Sequence, residues 1–228
     1  MPSITQAVED YLKAIWRLGH EGDERVSVGD IASELKVAAP SVTNMVRKLK
    51  SMRLLHYERY GGVALTPRGR KIALEIVRHH RLWELYLYMR LGVPLELVDG
   101  EAERLEHVLS DDMEELLTRN LGDPTHDPHG DPIPSKSGAL KQVKGVALGK
   151  LEKGARAVVA RVSDRNPEKL RYMVSLGLLP GTPVEMKARA PFRGPLTVRI
   201  GNRTCAVDED LANLVVVRRA ASGGRKRK

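Results

Sequence analysis

The sequence predicts a mainly α-helical chain that ends in a small β domain. Apolar residues recur with the helical period of 3.6 through the first half of the chain. Prolines and glycines then crowd residues 122–145, and beyond them the apolar period changes to two. The length of 228 residues allows two or three such domains.

The first 65 residues predict three helices and a hairpin. Apolar residues within 4–18 share one helix face, and Ser27 is the N-terminal cap of a second, short helix. Pro40 begins a third helix, because proline is tolerated in the first turn. Two β-prone segments flank the turn pair Gly61-Gly62. Three helices followed by a hairpin is the order of a winged helix-turn-helix.

Two longer helices and a set of strands are predicted next. One helix runs from Pro67 to about Leu91 and the other from about Asp99 to Leu121. Beyond the proline-rich stretch, the strand-like segments are residues 157–162, 184–188, 196–200 and 214–217, with one helix over 168–176. This pattern predicts a small, mostly antiparallel barrel.

Composition excludes several classes of protein. Cys205 is the only cysteine, so a disulfide framework and a cysteine-based zinc motif are both excluded. No apolar run approaches the roughly 18 residues of a membrane span, and no signal peptide follows Met1. We therefore expect a basic cytoplasmic protein without a membrane partner.

Charge alternates along the chain in three blocks. Residues 36–81 carry 11 Lys and Arg against 2 Asp and Glu, whereas residues 82–131 carry 3 against 13. Residues 141–228 carry 20 against 7. This alternation indicates that polyanions and cations bind at different places.

The first basic block coincides with the predicted reading helix and hairpin. In a helix-turn-helix the N-terminal part of the second motif helix reaches base edges in the major groove of double-stranded DNA. Asn44 can pair bidentately with adenine, and Ser41 on the same face can contact a base or phosphate. The candidate DNA-binding residues are Ala39, Pro40, Ser41, Thr43, Asn44, Arg47, Lys48, Lys50, Arg59 and Tyr60.

The acidic block contains candidate metal ligands. Glu103, Glu106 and His107 have the i, i+3, i+4 spacing that places side chains on one helix face. His80 and Glu84 are spaced i, i+4 on the preceding helix. Oxygen and imidazole donors suit Mn²⁺, Fe²⁺ and other divalent first-row ions.

The same residues do not form a catalytic motif, so we do not expect an enzyme. No H-E-x-x-H is present, and the acidic helix lacks Glu-x-x-His. Two other interpretations stay open. One is a winged-helix regulator with a non-metal effector. The other is a metal-handling protein that binds DNA nonspecifically.

Several strings resemble the diphtheria toxin repressor family of metal-dependent transcriptional regulators. They are Val8-Glu-Asp-Tyr-Leu12, Pro40-Ser-Val-Thr43, Leu65-Thr-Pro-Arg-Gly69, His79-His-Arg-Leu-Trp-Glu84, Glu101-Ala-Glu-Arg-Leu-Glu-His107, Pro128-His-Gly-Asp-Pro-Ile-Pro134 and Leu176-Gly-Leu-Leu-Pro-Gly181. The resemblance implies a winged helix-turn-helix domain at 1–69, a helical dimerisation and metal-binding domain at 70–135, a linker at 136–145, an SH3-like domain at 146–220 and a basic tail at 221–228.

The resemblance also implies a function and a set of sites. Members bind pseudo-palindromic operators as homodimers when loaded with Fe²⁺ or Mn²⁺, and they repress metal-uptake genes. One metal site matches Asp10, Glu103, Glu106 and His107, and a second matches His80, Glu84 and Asp99. Asp127 stands where some members recruit a cysteine, and Asp164 and Glu168 are candidate donors from the SH3-like domain. Asn44 matches a base-proximal amide.

Departures from the family pattern bear on the choice of metal. Asp10 and Glu103 replace the sulfur donors of iron-type members, which favours manganese. Lys13 stands where manganese-type members often carry an acid, and its positive charge disfavours a closely spaced pair of ions.

Overall fold

A computed structural model describes residues 4–19, 24–58, 60–192 and 194–219. The helices are α1 (Gln6–Leu18), α2 (Val28–Leu35), α3 (Ala39–Ser51), α4 (Pro67–Leu91), α5 (Val98–Leu105), α6 (Asp111–Asn120), α7 (Pro167–Leu176) and α8 (Glu209–Asn213). The strands are β1 (Leu55–Glu58), β2 (Gly62–Leu65), β3 (Val146–Ala147), β4 (Arg156–Val162), β5 (Pro183–Arg189), β6 (Leu196–Ile200), β7 (Arg203–Val207) and β8 (Val215–Arg219). The prediction of a mainly α-helical chain with a small β domain is confirmed.

The chain divides into two compact units. The N-terminal unit comprises Met1–His80, Arg104–Glu114 and Pro134–Leu140, and the C-terminal unit comprises Arg81–Glu103, Glu115–Ile133 and Lys141–Lys228. Residues 104–114, which the sequence assigns to the helical domain, thus pack with the DNA-binding elements. The predicted basic tail at 221–228 lies outside the described residues.

The N-terminal unit is a three-helix core with a two-stranded wing. Its core combines residues of α1, α2, α3, the wing and the start of α4, and its fully buried side chains include Val8, Leu12, Ile31, Val42, Val46, Leu49, Val63 and Ala73. The Ser27 side chain accepts a hydrogen bond from the Asp30 amide and caps α2, as its sequence predicts. Strands β1 and β2 pair antiparallel, with Leu55 opposite Leu65.

The predicted continuous helix from Asp99 to Leu121 is wrong. Helix α5 ends at Leu105, a single 3₁₀ turn covers Glu106–Val108, and α6 begins at Asp111. The break follows from Ser110, whose hydroxyl accepts a hydrogen bond from the Met113 amide at 3.3 Å. Acidic residues then fill the first turn of α6, where the helix dipole favours them. Ser110 and these acids therefore start a new helix, although the apolar residues keep the helical period across the break.

The C-terminal unit contains a six-stranded antiparallel sheet. Its strand order is β3-β8-β4-β5-β6-β7, with bulges between Val159 and Arg161 and between Met186 and Ala188. Alternate residues such as Val184, Met186 and Val198 are buried on one face. No helix in the described part of the chain combines the length and apolar character needed to cross a membrane.

Candidate metal centres and DNA-reading surface

Three side chains of the N-terminal unit form the Asp10 cluster: Asp10, Glu106 and His107. Each offers one donor atom, and these atoms all lie within 4.8 Å of one another. His107 Nε2 lies 2.9 Å from Asp10 Oδ1, and His107 Nδ1 lies 2.7 Å from Glu9 Oε2. Two carboxylates and an imidazole are a suitable donor set for a divalent first-row ion.

Lys13 supplies a cation to this cluster from one turn further along α1. Its Nζ donates hydrogen bonds to Glu106 Oε1 and Oε2 at 2.8 and 2.6 Å. His80 Nδ1 lies 2.5 Å from Glu106 Oε2 and 3.1 Å from Lys13 Nζ. Burial alone would raise the pKa of the Glu106 carboxyl, but the His80 hydrogen bond and the Lys13 charge together lower it.

The helix face expected to carry Glu103 with Glu106 and His107 does not form. Glu106 and His107 lie in the 3₁₀ turn after α5, whereas Glu103 is an exposed residue of α5 in the other unit. The turn redirects His107 towards Asp10 and Glu9 of α1. Sequence periodicity missed Glu9 and the contact of His80 with Glu106.

A second set of buried polar contacts holds the segment that follows the 3₁₀ turn. His79 Nδ1 lies 3.2 Å from the backbone oxygen of Glu106, and its Nε2 lies 3.3 Å from Glu114 Oε2. Arg78 Nε donates to Glu114 Oε1 at 2.7 Å, and Arg78 also donates to the Pro134 carbonyl at 2.8 Å. Burial would raise the pKa of Glu114, but the Arg78 hydrogen bond and charge lower it.

The C-terminal unit contains a more deeply buried group, the Glu84 cluster of Glu84, Asp127 and His129. Its donor atoms also lie within 4.8 Å of one another, and the three residues are at most 7% exposed. Asp127 Oδ1 accepts hydrogen bonds from the amides of His129 and Asp131 at 2.9 and 2.8 Å. These bonds fix the loop that carries both donors.

The His129 ring directs a donor atom into this cluster. Its Nε2 lies 3.3 Å from the Leu95 carbonyl, which fits an Nε2–H donor. Nδ1 makes no hydrogen bond and lies 3.4 Å from Glu84 Oε1. A divalent cation bound between these two atoms would use both as ligands.

The Asp127 carboxyl lies close to other acids in and beside the Glu84 cluster. Burial raises the pKa of Asp127 well above its usual value, and the neighbouring charges of Glu84 and Asp131 raise it further. Arg81 Nε lies 3.6 Å from Asp127 Oδ2, and the charge of Arg81 offsets part of this increase. A bound cation would relieve this repulsion.

The loop is fixed against the sheet by Gly130. Its φ is +93°, and a Cβ at this position would lie 2.1 Å from the backbone oxygen of Ala160. Only glycine fits such a close approach. The neighbouring His129 carbonyl accepts a hydrogen bond from the Val162 amide at 2.9 Å, which seats the loop on β4.

The other predicted metal residues divide between the two units. Glu84, Asp99 and Asp164 form a further group with donor atoms within 4.8 Å, so Glu84 faces two sets of partners. His80, which the sequence groups with Glu84 and Asp99, has its Nδ1 2.5 Å from Glu106 Oε2. Glu168 is exposed in the first turn of α7. Sequence reasoning missed His129, although the Asp127-Pro-His129 spacing was a signal.

Helix α3 exposes the predicted DNA-binding residues Ala39, Pro40, Ser41, Asn44, Arg47 and Lys48. Thr43 is half-buried, and its hydroxyl bonds the Ala39 carbonyl. Lys50 is exposed as well, and its Nζ donates to the Tyr57 carbonyl at 3.1 Å. Tyr60 is 93% exposed at the tip of the wing, and Arg59 lies outside the described residues.

Three family models match consecutive parts of the chain. Residues 3–63 match the iron dependent repressor, N-terminal DNA binding domain. Residues 66–135 match the iron dependent repressor, metal binding and dimerisation domain, and residues 146–219 match the FeoA domain.

Individual relatives and a solved structure are similar over most of their length. The diphtheria toxin repressor of Corynebacterium jeikeium is 30% identical, over 84% of this chain and 81% of that protein. The HTH-type transcriptional regulator MntR of Geobacillus kaustophilus is 45% identical, over 46% of this chain and 74% of that protein. The structure of a manganese-dependent transcriptional repressor in complex with manganese is 35% identical, covering 93% of this chain and 100% of that chain, with a TM-score of 0.84.

Proposed function

Because this chain belongs to the iron-dependent repressor family, which includes the diphtheria toxin repressor, we propose that it is a Mn²⁺-responsive DNA-binding repressor. The resemblance inferred from the sequence strings is thereby confirmed. Fe²⁺ is the alternative activating ion, and other divalent first-row ions can substitute. The metal-uptake genes and the cytoplasmic location implied by the resemblance are part of this proposal.

One observation carries the mechanism: Asp10 of the winged helix-turn-helix meets Glu106 and His107 from the turn after α5. Their donor atoms lie within 4.8 Å of one another, although 96 residues separate Asp10 from Glu106. A cation bonded to all three would hold the 3₁₀ turn against α1. Helix α1 belongs to the same core as the reading helix α3, so the metal would fix the position of α3.

The donor chemistry favours manganese or ferrous iron. The Asp10 cluster offers carboxylate oxygen and imidazole nitrogen, and so does the Glu84 cluster. Cys205 is in β7 and belongs to neither group. Hard oxygen donors suit Mn²⁺ and Fe²⁺ better than thiophilic ions.

Lys13 limits the stoichiometry of the Asp10 cluster to one ion. Its ammonium group lies 2.6 Å from Glu106 Oε2, and its positive charge would repel a second ion bridged by that carboxylate. We propose one ion at the Asp10 cluster and a second at the Glu84 cluster.

The active species is a homodimer on a pseudo-palindromic operator. Large apolar side chains remain exposed on α4, α6 and the connection between α4 and α5, and they include Met89, Leu91, Leu97 and Leu116. A second copy of the chain would remove them from water. The dimer would place its two α3 helices about 34 Å apart, one turn of DNA.

Metal acts on this dimer by shifting a population. The metal must bind the DNA-competent conformation more tightly than the alternative one. A metal with equal affinity for the two conformations would not shift the equilibrium between them. An affinity ratio of about 100 supplies about 2.7 kcal/mol, enough to change DNA affinity by about two orders of magnitude.

Fluorescence anisotropy with Asp10→Ala tests this mechanism. We expect Mn²⁺ to raise the affinity of the native chain for duplexes from upstream of metal-uptake genes about 100-fold over its affinity in chelator. Asp10→Ala should fold and keep the affinity measured in chelator, because the variant loses only a partly exposed donor. Salt and competitor DNA are held constant, since phosphate binding is salt-dependent.

Glu34→Ala is the matched control, because it removes an exposed acid from the same DNA-binding unit. It should retain the full response to Mn²⁺. An equal response in Asp10→Ala would exclude the Asp10 cluster as the activating site. No response in the native chain would exclude the metal-dependent function.

A further inference from the structure

The strands of the C-terminal sheet are rich in positive charge. Its six strands contain eight Lys and Arg residues and a single acid, Glu185. The cations are Arg156, Arg161, Lys187, Arg189, Arg199, Arg203, Arg218 and Arg219. Such an imbalance in a folded sheet is a feature of surfaces that bind polyanions.

Three of these cations converge on the one carboxylate. Lys187 Nζ donates to Glu185 Oε1 at 2.7 Å, Arg199 donates to Glu185 Oε2 at 2.5 Å, and Arg156 Nε lies 3.3 Å from the same oxygen. We name Arg156, Lys187 and Arg199 the basic sheet face. The Glu185 carboxylate compensates one of the three charges, so two positive charges remain.

The strand register explains why the group is fixed in place. Arg156 lies opposite Glu185, and Glu185 lies opposite Arg199, so the three residues form one row across β4, β5 and β6. Neighbouring strands are about 4.8 Å apart, and residues opposite each other point to the same face. The shared carboxylate holds the guanidinium groups over the sheet and lowers the entropy lost when they bind an anion.

The row remains accessible to a partner. The side chains of Arg156, Lys187 and Arg199 are 72%, 39% and 42% exposed, whereas that of Glu185 is 11% exposed. Thr204 continues the row on β7 and is exposed, so its hydroxyl can donate a hydrogen bond beside the cations. Cations and a hydroxyl donor match phosphate oxygens.

We propose that the basic sheet face binds the phosphate backbone of double-stranded DNA, as a contact separate from the reading helix. This rests on the proposed DNA-binding function, which brings the chain to a polyanion. Charges spread over three strands suit a ligand with regularly spaced phosphates better than one small anion. The contact reads no base, so it contributes affinity and salt dependence and not sequence preference.

Salt-dependent anisotropy on the full-length chain tests the proposal. The variant is Arg156→Gln/Lys187→Gln/Arg199→Gln, and the probe is a labelled 30-base-pair duplex of arbitrary sequence in Mn²⁺. Each lost phosphate contact reduces the slope of log affinity against log salt by about 0.9. With two uncompensated charges removed, we expect a slope about two smaller and a loss of at least tenfold in affinity at low salt.

The matched control is Lys150→Gln/Arg165→Gln/Lys169→Gln, which removes three exposed cations from the same unit outside its strands. Equal slopes for the two triple variants would overturn the proposal. If the native chain does not bind the duplex at all, the DNA-binding function fails, and the phosphate contact fails with it.

A second probe separates DNA from an acidic protein partner. Labelled poly-glutamate replaces the duplex under the same conditions. If only poly-glutamate binding falls in the sheet variant, the face binds acidic polypeptide and the DNA contact is overturned. Thermal unfolding of both triple variants checks that each one folds.

Discussion

The Asp10 cluster and the Glu84 cluster contain the same types of donor, but their surroundings shift the pKa of a carboxyl group in opposite directions. In the first, the Lys13 ammonium group bonds Glu106 directly at 2.6 Å, and the pKa of Glu106 is lowered. In the second, Arg81 Nε lies 3.6 Å from Asp127 Oδ2, and the pKa of Asp127 is raised. Residues of the chain therefore stabilise the charge of Glu106, whereas burial and neighbouring acids oppose a charge on Asp127.

The largest effect should come from removing the internal cation. Lys13→Met leaves the Glu106 carboxylate buried without its ammonium partner, because Lys13 and Glu106 side chains are only 3% and 0% exposed. Breaking a buried pair in this way costs about 3 kcal/mol. Urea unfolding in chelator should show this loss, and Mn²⁺ should recover part of it by supplying another cation beside Glu106.

An exposed ion pair provides the control for Lys13→Met. Arg25 and Glu58 are paired at 2.8 Å, with side chains 44% and 65% exposed. Arg25→Gln should cost less than about 1 kcal/mol, since water screens the pair. If Lys13→Met and Arg25→Gln lose the same free energy of unfolding, burial does not decide how much each ion pair contributes.

A moderate effect is expected at Glu114, whose cation is also internal. Glu114→Gln weakens the hydrogen bond from Arg78, a charged bond that contributes about 1.5 kcal/mol. Because folding lowers the pKa of Glu114, its stabilisation is complete above the usual value of 4.5 and is lost as the pH falls through the lowered one. The variant should therefore be less stable at pH 7 and equal to the native chain in strong acid.

Urea unfolding of both chains from pH 7 to pH 2 measures this convergence. Glu115→Gln is the control, because Glu115 is exposed on the same helix. A gap between Glu114→Gln and the native chain that persists at the lowest pH would mean that packing, and not charge, stabilises this site.

The sequence predicted which residues are candidate metal ligands better than it predicted how the fold arranges them. Its apolar periods identified α1, α3 and α4, because these helices bury one continuous stripe. It failed at Ser110, where a capping side chain ends the helical run that periodicity extends to Leu121.

The partners of the donors depend on contacts between distant segments. His80 is 26 residues from Glu106, and Glu84 is 45 residues from His129, so no local spacing predicts either contact. Lys13 was recognised as a cation that disfavours paired ions, but only the folded chain places its ammonium group on both oxygens of Glu106. Local sequence patterns predict helices and strands, whereas the contacts between the metal-donor residues depend on how those helices and strands pack together.

The smallest effect should have the opposite sign, and it provides the sharpest test of the comparison. Asp127→Asn keeps an oxygen acceptor for the His129 and Asp131 amides but removes a charge repelled by Glu84 and Asp131. In chelator at pH 7 we expect a small gain in the free energy of unfolding, because the variant no longer buries a charge beside Glu84 and Asp131. In Mn²⁺ the variant should gain less stability than the native chain, because it has lost a charged ligand. Asp210→Asn, an exposed acid in the same unit, should change neither value. A loss of stability in chelator would mean that Arg81 already compensates Asp127, and the contrast between the two clusters would not hold.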